Sequence, residues 1–90
     1  MNEKAVAITI TGRVQNVGFR FHTQKQAQEM ELTGFVRNRP NGSVYVEAQG
    51  SAEAIERFIL WCHQGSLWAR VDKVQVQEIP IGDYEGFMIK

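Results

Sequence analysis

Apolar and polar positions alternate from the start of the chain. In "AVAITI", Ala5 to Ile10, the residues Val6, Ile8 and Ile10 fall on one side of an extended chain, and the run is rich in β-branched side chains. This predicts a first strand from about Lys4 to Gly12. After the irregular "VQNVG", the stretch "FHTQKQAQEME" carries helix-forming residues with Thr23, Ala27 and Met30 at i, i+4 and i+7. A helix with a modest apolar stripe follows from that spacing. Two β-rich segments, "LTGFVRN" and "SVYVEAQ", flank "RPNG", where Pro40 followed by Asn41-Gly42 signals a tight turn and hence a hairpin. Beyond Gly50-Ser51, with Ser51 as N-cap, Ile55, Phe58, Ile59 and Cys62 recur at i, i+3, i+4 and i+7, the spacing of a second amphipathic helix. "VDKVQVQEI", with Val71, Val74 and Val76, reads as a fourth strand, and "FMIK" after the turn-like "IGDYEG" as a short fifth strand or an extension of the sheet.

The order β-α-β-β-α-β fits a split βαβ arrangement. The expected class is α+β, a ferredoxin-like βαββαβ sandwich with two helices on one face of an antiparallel sheet. Ninety residues allow one two-layer core, so residues 1–90 are expected to form a single domain. There is no internal repeat, low-complexity tract or linker.

Composition narrows the partners. Ten Lys and Arg balance ten Asp and Glu, which leaves little long-range attraction for nucleic acid or an anionic membrane. Any bound anion is therefore expected to be small and held locally. No apolar run approaches the roughly 20 residues of a membrane span. One cysteine, Cys62, cannot form an intramolecular disulfide, and "MNEKAVAI" lacks the apolar stretch of a signal peptide, so a reducing cytoplasm is the expected location.

Against that neutral background, "TGRVQNVGFR", Thr11 to Arg20, gathers two arginines and two glycines without an acidic residue. It lies between the first strand and first helix, where backbone N–H groups lack partners and can curl around an oxyanion at the positive end of the helix dipole. Gly18 frees the bend, Gly12 and Asn16 can adopt positive φ, and the guanidinium of Arg20 matches two phosphate oxygens. On spacing alone, the commoner reading is an ordinary turn with Arg13 and Arg20 as solvated charges. Asn38, between Arg37 and Arg39 at the end of the second strand, can orient a water without deprotonating it. By itself, an asparagine beside "PNG" is more commonly a turn former, which is the reading kept for Asn41.

Taken together, these stretches resemble the acylphosphatase family, small cytoplasmic enzymes that hydrolyse the carboxyl-phosphate bond of acyl phosphates without a metal. "GRVQNVGFR" is similar to the family's first signature and "GFVRNRPNGSV" to its second, a Gly-aromatic-aliphatic-x-Asn run with a Gly four residues later. The similarity extends from the first strand to "FMIK" and includes "VEAQG". The resemblance implies that Arg20 binds the phosphoryl group, Asn38 orients the attacking water, and the loop Gln15, Asn16, Val17, Gly18 and Phe19 supplies backbone N–H donors. It also implies no cofactor or metal, a small acyl phosphate as substrate, phosphate or sulfate as product-like ligands, and a monomer without nucleic-acid or membrane partners.

The chain departs from the family pattern in three places. Asn16 stands where glycine is usual, a strain of about 1 kcal/mol if its φ is positive. "RPNG" replaces a turn with an acidic residue before the glycine, which should make the site mouth more cationic. "QGSLWARV" only partly matches the approach to the fourth strand. Other candidates have plainer readings: Cys62 lies on an apolar stripe and His63 beside it points elsewhere, His22 is expected to be exposed or satisfied, and Trp61 and Trp68 to be partly buried. Two competing functions on the same scaffold are a non-catalytic small-anion module and an RNA binder. Against the latter, the third strand offers one aromatic, Tyr45, beside the acidic Glu47.

Overall fold

The computed structural model describes residues 2–90. The alternating run near the start forms β1 (Glu3–Arg13), with Val6, Ile8 and Ile10 fully buried on one face. Then follow α1 (Phe19–Glu29), β2 (Thr33–Asn38), β3 (Val44–Ser51), α2 (Ala52–Gln64), β4 (Arg70–Ile79) and β5 (Phe87–Ile89). The sheet order is β4-β1-β3-β2-β5. β3 lies between β1 and β2 and pairs antiparallel with both, and β4 pairs antiparallel with β1, which gives the split βαβ arrangement.

β5 corrects the expectation of a wholly antiparallel sheet: it runs parallel to β2, with Gly34 opposite Phe87 and Val36 opposite Ile89. β4 ends opposite Ala5, at the end of the sheet where β1 and β2 begin. A chain that crosses from there to the far edge meets β2 at its start and can only run alongside it. The crossing segment, 80–86, lies on the face away from the helices. The Gln49 side chain clasps the Gly82 backbone, accepting from its N–H at 2.8 Å and donating to its carbonyl at 3.1 Å. Tyr84 donates to Glu47 at 2.6 Å from one side while Tyr45 donates to it at 2.7 Å from the other.

Both helices cover the opposite face, α1 over β2 and β5, α2 over β1, β3 and β4. Phe19 and Ala27 from α1 and Ile55, Phe58 and Cys62 from α2 close on Val36, Val44 and Val46. Phe58, fully buried, packs edge-on to Phe87 and stacks on Trp61. Side chains of this size lose about 3–5 kcal/mol of stability when truncated to alanine. A register shift between Thr11 and Gly12 explains the irregular spacing of the β4 valines: Ile10 faces Val74, yet Gly12 faces Val71, so both valines reach the helical side although three apart.

Helix ends follow local chemistry. Ser51 caps α2 by accepting from the Ala54 N–H at 3.1 Å. α1 stops in a Schellman arrangement, with Leu32 N–H to Ala27 O at 2.9 Å and Glu31 N–H to Gln28 O at 3.1 Å. Asn41 Oδ1 accepts from both the N–H and the hydroxyl of Ser43, which makes it the local turn former expected. Trp61 is half-buried, but Trp68 is 75% exposed. Partial burial fails for Trp68 because it sits in the loop between α2 and β4.

Candidate active site

β1 shifts register at Gly12, whose φ is 128° and where a Cβ would run into the Arg70 carbonyl oxygen, and ends one residue later at Arg13. Two left-handed residues then wind the chain from strand to helix: Asn16 at φ 62° and Gly18 at φ 75°. The first backbone donor to find a partner is His22, which reaches Gly18 O at 3.1 Å; among the described residues, no group of the chain accepts from the N–H groups of residues 16–21. α1 has neither a side-chain cap nor an acidic residue in its first turn. Its positive end is therefore open to an anion.

Arg20 rises from that first turn and is half-buried. Among the described residues the one ion pair is Arg70–Asp72, at 3.2 Å, so Arg20 has no carboxylate partner. Asn38 closes β2, and its Oδ1 is buried without a hydrogen-bond partner among the described residues. A buried unpaired acceptor of this kind costs about 1–3 kcal/mol, which makes it a pointer to a ligand. β2 does not neighbour β1 directly. The two run parallel with β3 between them, so both end at the same edge of the sheet, and the connection between them brings the start of α1 there.

Arg20 and Asn38 consequently line one cavity of about 180 Å³ together with Asn16, Gly18 and Phe19. Of the expected loop residues, Gln15 and Val17 do not line it. Val17 packs against the core, and the Gln15 side chain turns to the hairpin, donating to Arg39 O at 2.8 Å and Ser43 O at 2.9 Å. A larger hollow, about 490 Å³, opens beside Phe35, Tyr84 and Lys90. It contains neither a helix start nor an orphaned acceptor, whereas the smaller one has both.

The hairpin arginines do not line this cavity. The Arg39 and Arg37 guanidinium carbons lie 4.0 Å and 5.6 Å from the Tyr45 ring centre. Tyr45 is on the sheet face away from the helices, and Arg39 lines a separate hollow there with Thr9 and Gln75. His22 is exposed, its ring beside Gly18. Cys62 is buried in the core, and burial pushes its thiol up, far from a reactive thiolate. Among the described residues no three His, Cys, Asp or Glu side chains come together as a metal-binding group, and no helix is long and apolar enough to cross a membrane.

Sequence reasoning missed the Gln15 side chain and three residues of the cavity lining, of which one is the buried Val14. The Gln15 side chain left no periodic signal. Phe21 and Ile89 also line the cavity. The available clue to Phe21 was an aromatic residue off the Thr23-Ala27-Met30 stripe, directly after Arg20.

Free backbone donors, an unpaired guanidinium and an orphaned amide oxygen in one cavity suit a tetrahedral oxyanion beside a positioned water. Residues 6–89 match the acylphosphatase family model. An acylphosphatase from Salinibacter ruber is 45% identical over 89 residues, covering 98% of this chain and 94% of that protein. The solved structure of an acylphosphatase from Coxiella burnetii superposes with a TM-score of 0.96 at 36% identity, covering 99% of this chain and 94% of that one. One from Bacillus subtilis gives 0.94 at 33% identity, covering 97% and 98%. With likeness at that level over nearly its whole length, the chain belongs to the acylphosphatase family, enzymes that hydrolyse acyl phosphates.

Proposed function

We propose that the chain hydrolyses acyl phosphates by in-line attack of a water molecule on phosphorus. Asn38 orients the water, and Arg20 with the backbone N–H groups of the loop at the start of α1 holds the phosphoryl group. The observation that carries this reading is the buried, partnerless Oδ1 of Asn38 in the same cavity as Arg20 and the open start of α1.

Asn38 Oδ1 accepts one O–H of the water, and that bond turns an oxygen lone pair toward phosphorus. As the new P–O bond forms, the bond from phosphorus to the acyl oxygen breaks, and its electron pair leaves on the carboxylate. Charge on the equatorial oxygens is met by the guanidinium of Arg20 and the N–H groups at the helix start. A carboxylate leaves readily as an anion, so no general acid is needed. The water's proton passes to a phosphoryl oxygen of the substrate, since an amide such as Asn38 has no useful basicity. Fixing both reactants in one small cavity supplies the remaining advantage through orientation.

Hydrolysis of an aromatic acyl phosphate in isotopically labelled water, with chelator present, tests this directly. The label is expected in inorganic phosphate and none in the carboxylate, at a rate insensitive to the chelator. Label in the carboxylate would place the attack at carbon and contradict the proposal. A second check concerns the proton: the pH dependence of kcat in His22→Ala should match that of the unaltered chain, and loss of a titration with the imidazole would count against the substrate as proton acceptor.

A further inference from the structure

The phosphate cavity has an apolar lip that phosphoryl binding does not use. Phe21, 61% exposed, and Ile89, 40% exposed, line the cavity together with Arg20 and Asn38. Single exposed apolar residues are ordinary on protein surfaces. Two exposed ones from separate elements, α1 and β5, that line the same cavity as Arg20 and Asn38 call for an explanation. The mouth is where the leaving group must lie when phosphorus is held at the base by Arg20 and attacked from the side of Asn38.

Both side chains are held by the fold. Phe21 belongs to the first turn of α1, and its ring meets the edge of the His22 ring at 5.5 Å. Ile89 is in β5, paired with Val36 of β2. Lys90 N–H donates to Val36 O at 2.8 Å just beyond it, and the Gln24 side chain donates to Phe87 O at 2.8 Å, which ties β5 to α1. The separation of Phe21 and Ile89 is thus set by the packing of α1 against β5. An apolar group against them would be removed from water, whereas a charged one would lose hydration against side chains that offer it no hydrogen bond.

We infer that Phe21 and Ile89 form the subsite for the acyl group and select acyl phosphates whose acyl portion is aromatic or branched aliphatic over those with a small or carboxylate-bearing one. This rests on the hydrolase reading above, and it assigns the two residues as substrate contacts that set specificity.

The test compares kcat/KM for benzoyl phosphate and for acetyl phosphate in the unaltered chain, in Phe21→Ala and in Ile89→Ala. The intrinsic reactivities of the two substrates cancel when the ratio of one protein is divided by that of another. The benzoyl-to-acetyl ratio is expected to fall about tenfold in each variant, the scale at which apolar pockets discriminate. The exposure of both side chains lets the variants fold, and matching thermal midpoints would establish that they have. Turnover of both substrates with an unchanged ratio in both variants would overturn the acyl subsite and leave the hydrolase reading standing. Turnover of neither substrate by the unaltered chain would overturn both.

Discussion

The side-chain amide of Gln15 donates to the carbonyl of Arg39 at 2.8 Å, across a gap of 24 residues, and so fastens the anion loop to the residue next to Asn38. A second bond from the same nitrogen, to Ser43 O at 2.9 Å, includes the far side of the hairpin. One amide group therefore ties the loop proposed to receive phosphate to the residue beside the asparagine proposed to orient the water.

Replacing Gln15 with alanine removes that fastening while Arg20 and Asn38 remain. Both carbonyls keep a backbone partner, Arg39 O from Gly42 and Ser43 O from Arg39. The stability cost should therefore stay near 1 kcal/mol. Misplacing loop against asparagine is expected to lower kcat by about 10-fold or more with a smaller change in KM. Steady-state kinetics beside a urea melt distinguishes this from simple unfolding, and an unaltered kcat would contradict the positioning role.

Asn16 sits at φ 62°, the conformation that gave its departure from the family glycine a cost. Asparagine tolerates this region better than other non-glycine residues, so Asn16→Gly should retain activity and shift stability by less than about 1 kcal/mol. Asn16→Ala should lose about 1 kcal/mol, since alanine has the same left-handed penalty without the tolerance. The two urea midpoints, measured together, decide it.

Glu31 occupies the left-handed position at the end of α1, with φ 58°, where a glycine is usual. The side chain is exposed and makes no hydrogen bond among the described residues that its loss would break. Glu31→Gly is expected to raise stability by about 0.5–1 kcal/mol, because relief of left-handed strain exceeds the added freedom of the unfolded chain. A lower urea midpoint for the variant would contradict this.

Burial, together with the bond to Glu47, raises the Tyr84 hydroxyl pKa from 10.0 to about 12 and raises that of Tyr45 in the same direction. The folded chain holds this proton more tightly than the unfolded one. Its contribution to stability is therefore fully present below pH 10, the unfolded value, and is lost as pH rises through about 12. Tyr84→Phe removes the hydroxyl that titrates, so its stability should fall less steeply over that window than that of the unaltered chain. Parallel curves would show that Tyr84 does not govern the alkaline limb.

Where periodicity was clean, the sequence foretold the structure. The alternation of Val6, Ile8 and Ile10 and the stripe of Ile55, Phe58 and Cys62 each have one reading, and both faces are buried. β5 was harder, because three residues have no period and its place depends on how segment 80–86 crosses the sheet. Arg20, Asn38, Asn16, Gly18 and Phe19 were all named from motifs, and they share the cavity. Gln15 was named for its backbone alone: nothing local marks a glutamine whose partners lie 24 and 28 residues away. The exposure of Trp68 was likewise unreadable, since it depends on which elements fail to cover its loop.

The division of labour between Arg20 and Asn38 is the central claim, and one paired measurement tests it most directly: turnover of benzoyl phosphate beside the affinity for inorganic phosphate, in Arg20→Ala and Asn38→Ala. Loss of Arg20 should weaken phosphate binding by about 100-fold and abolish measurable turnover, because a charge-assisted contact to the phosphoryl group is gone. Loss of Asn38 should reduce kcat by about 100-fold to 1,000-fold while phosphate affinity is little changed, because only the water loses its guide. Equal loss of phosphate binding in both variants, or full turnover by Asn38→Ala, would contradict the account.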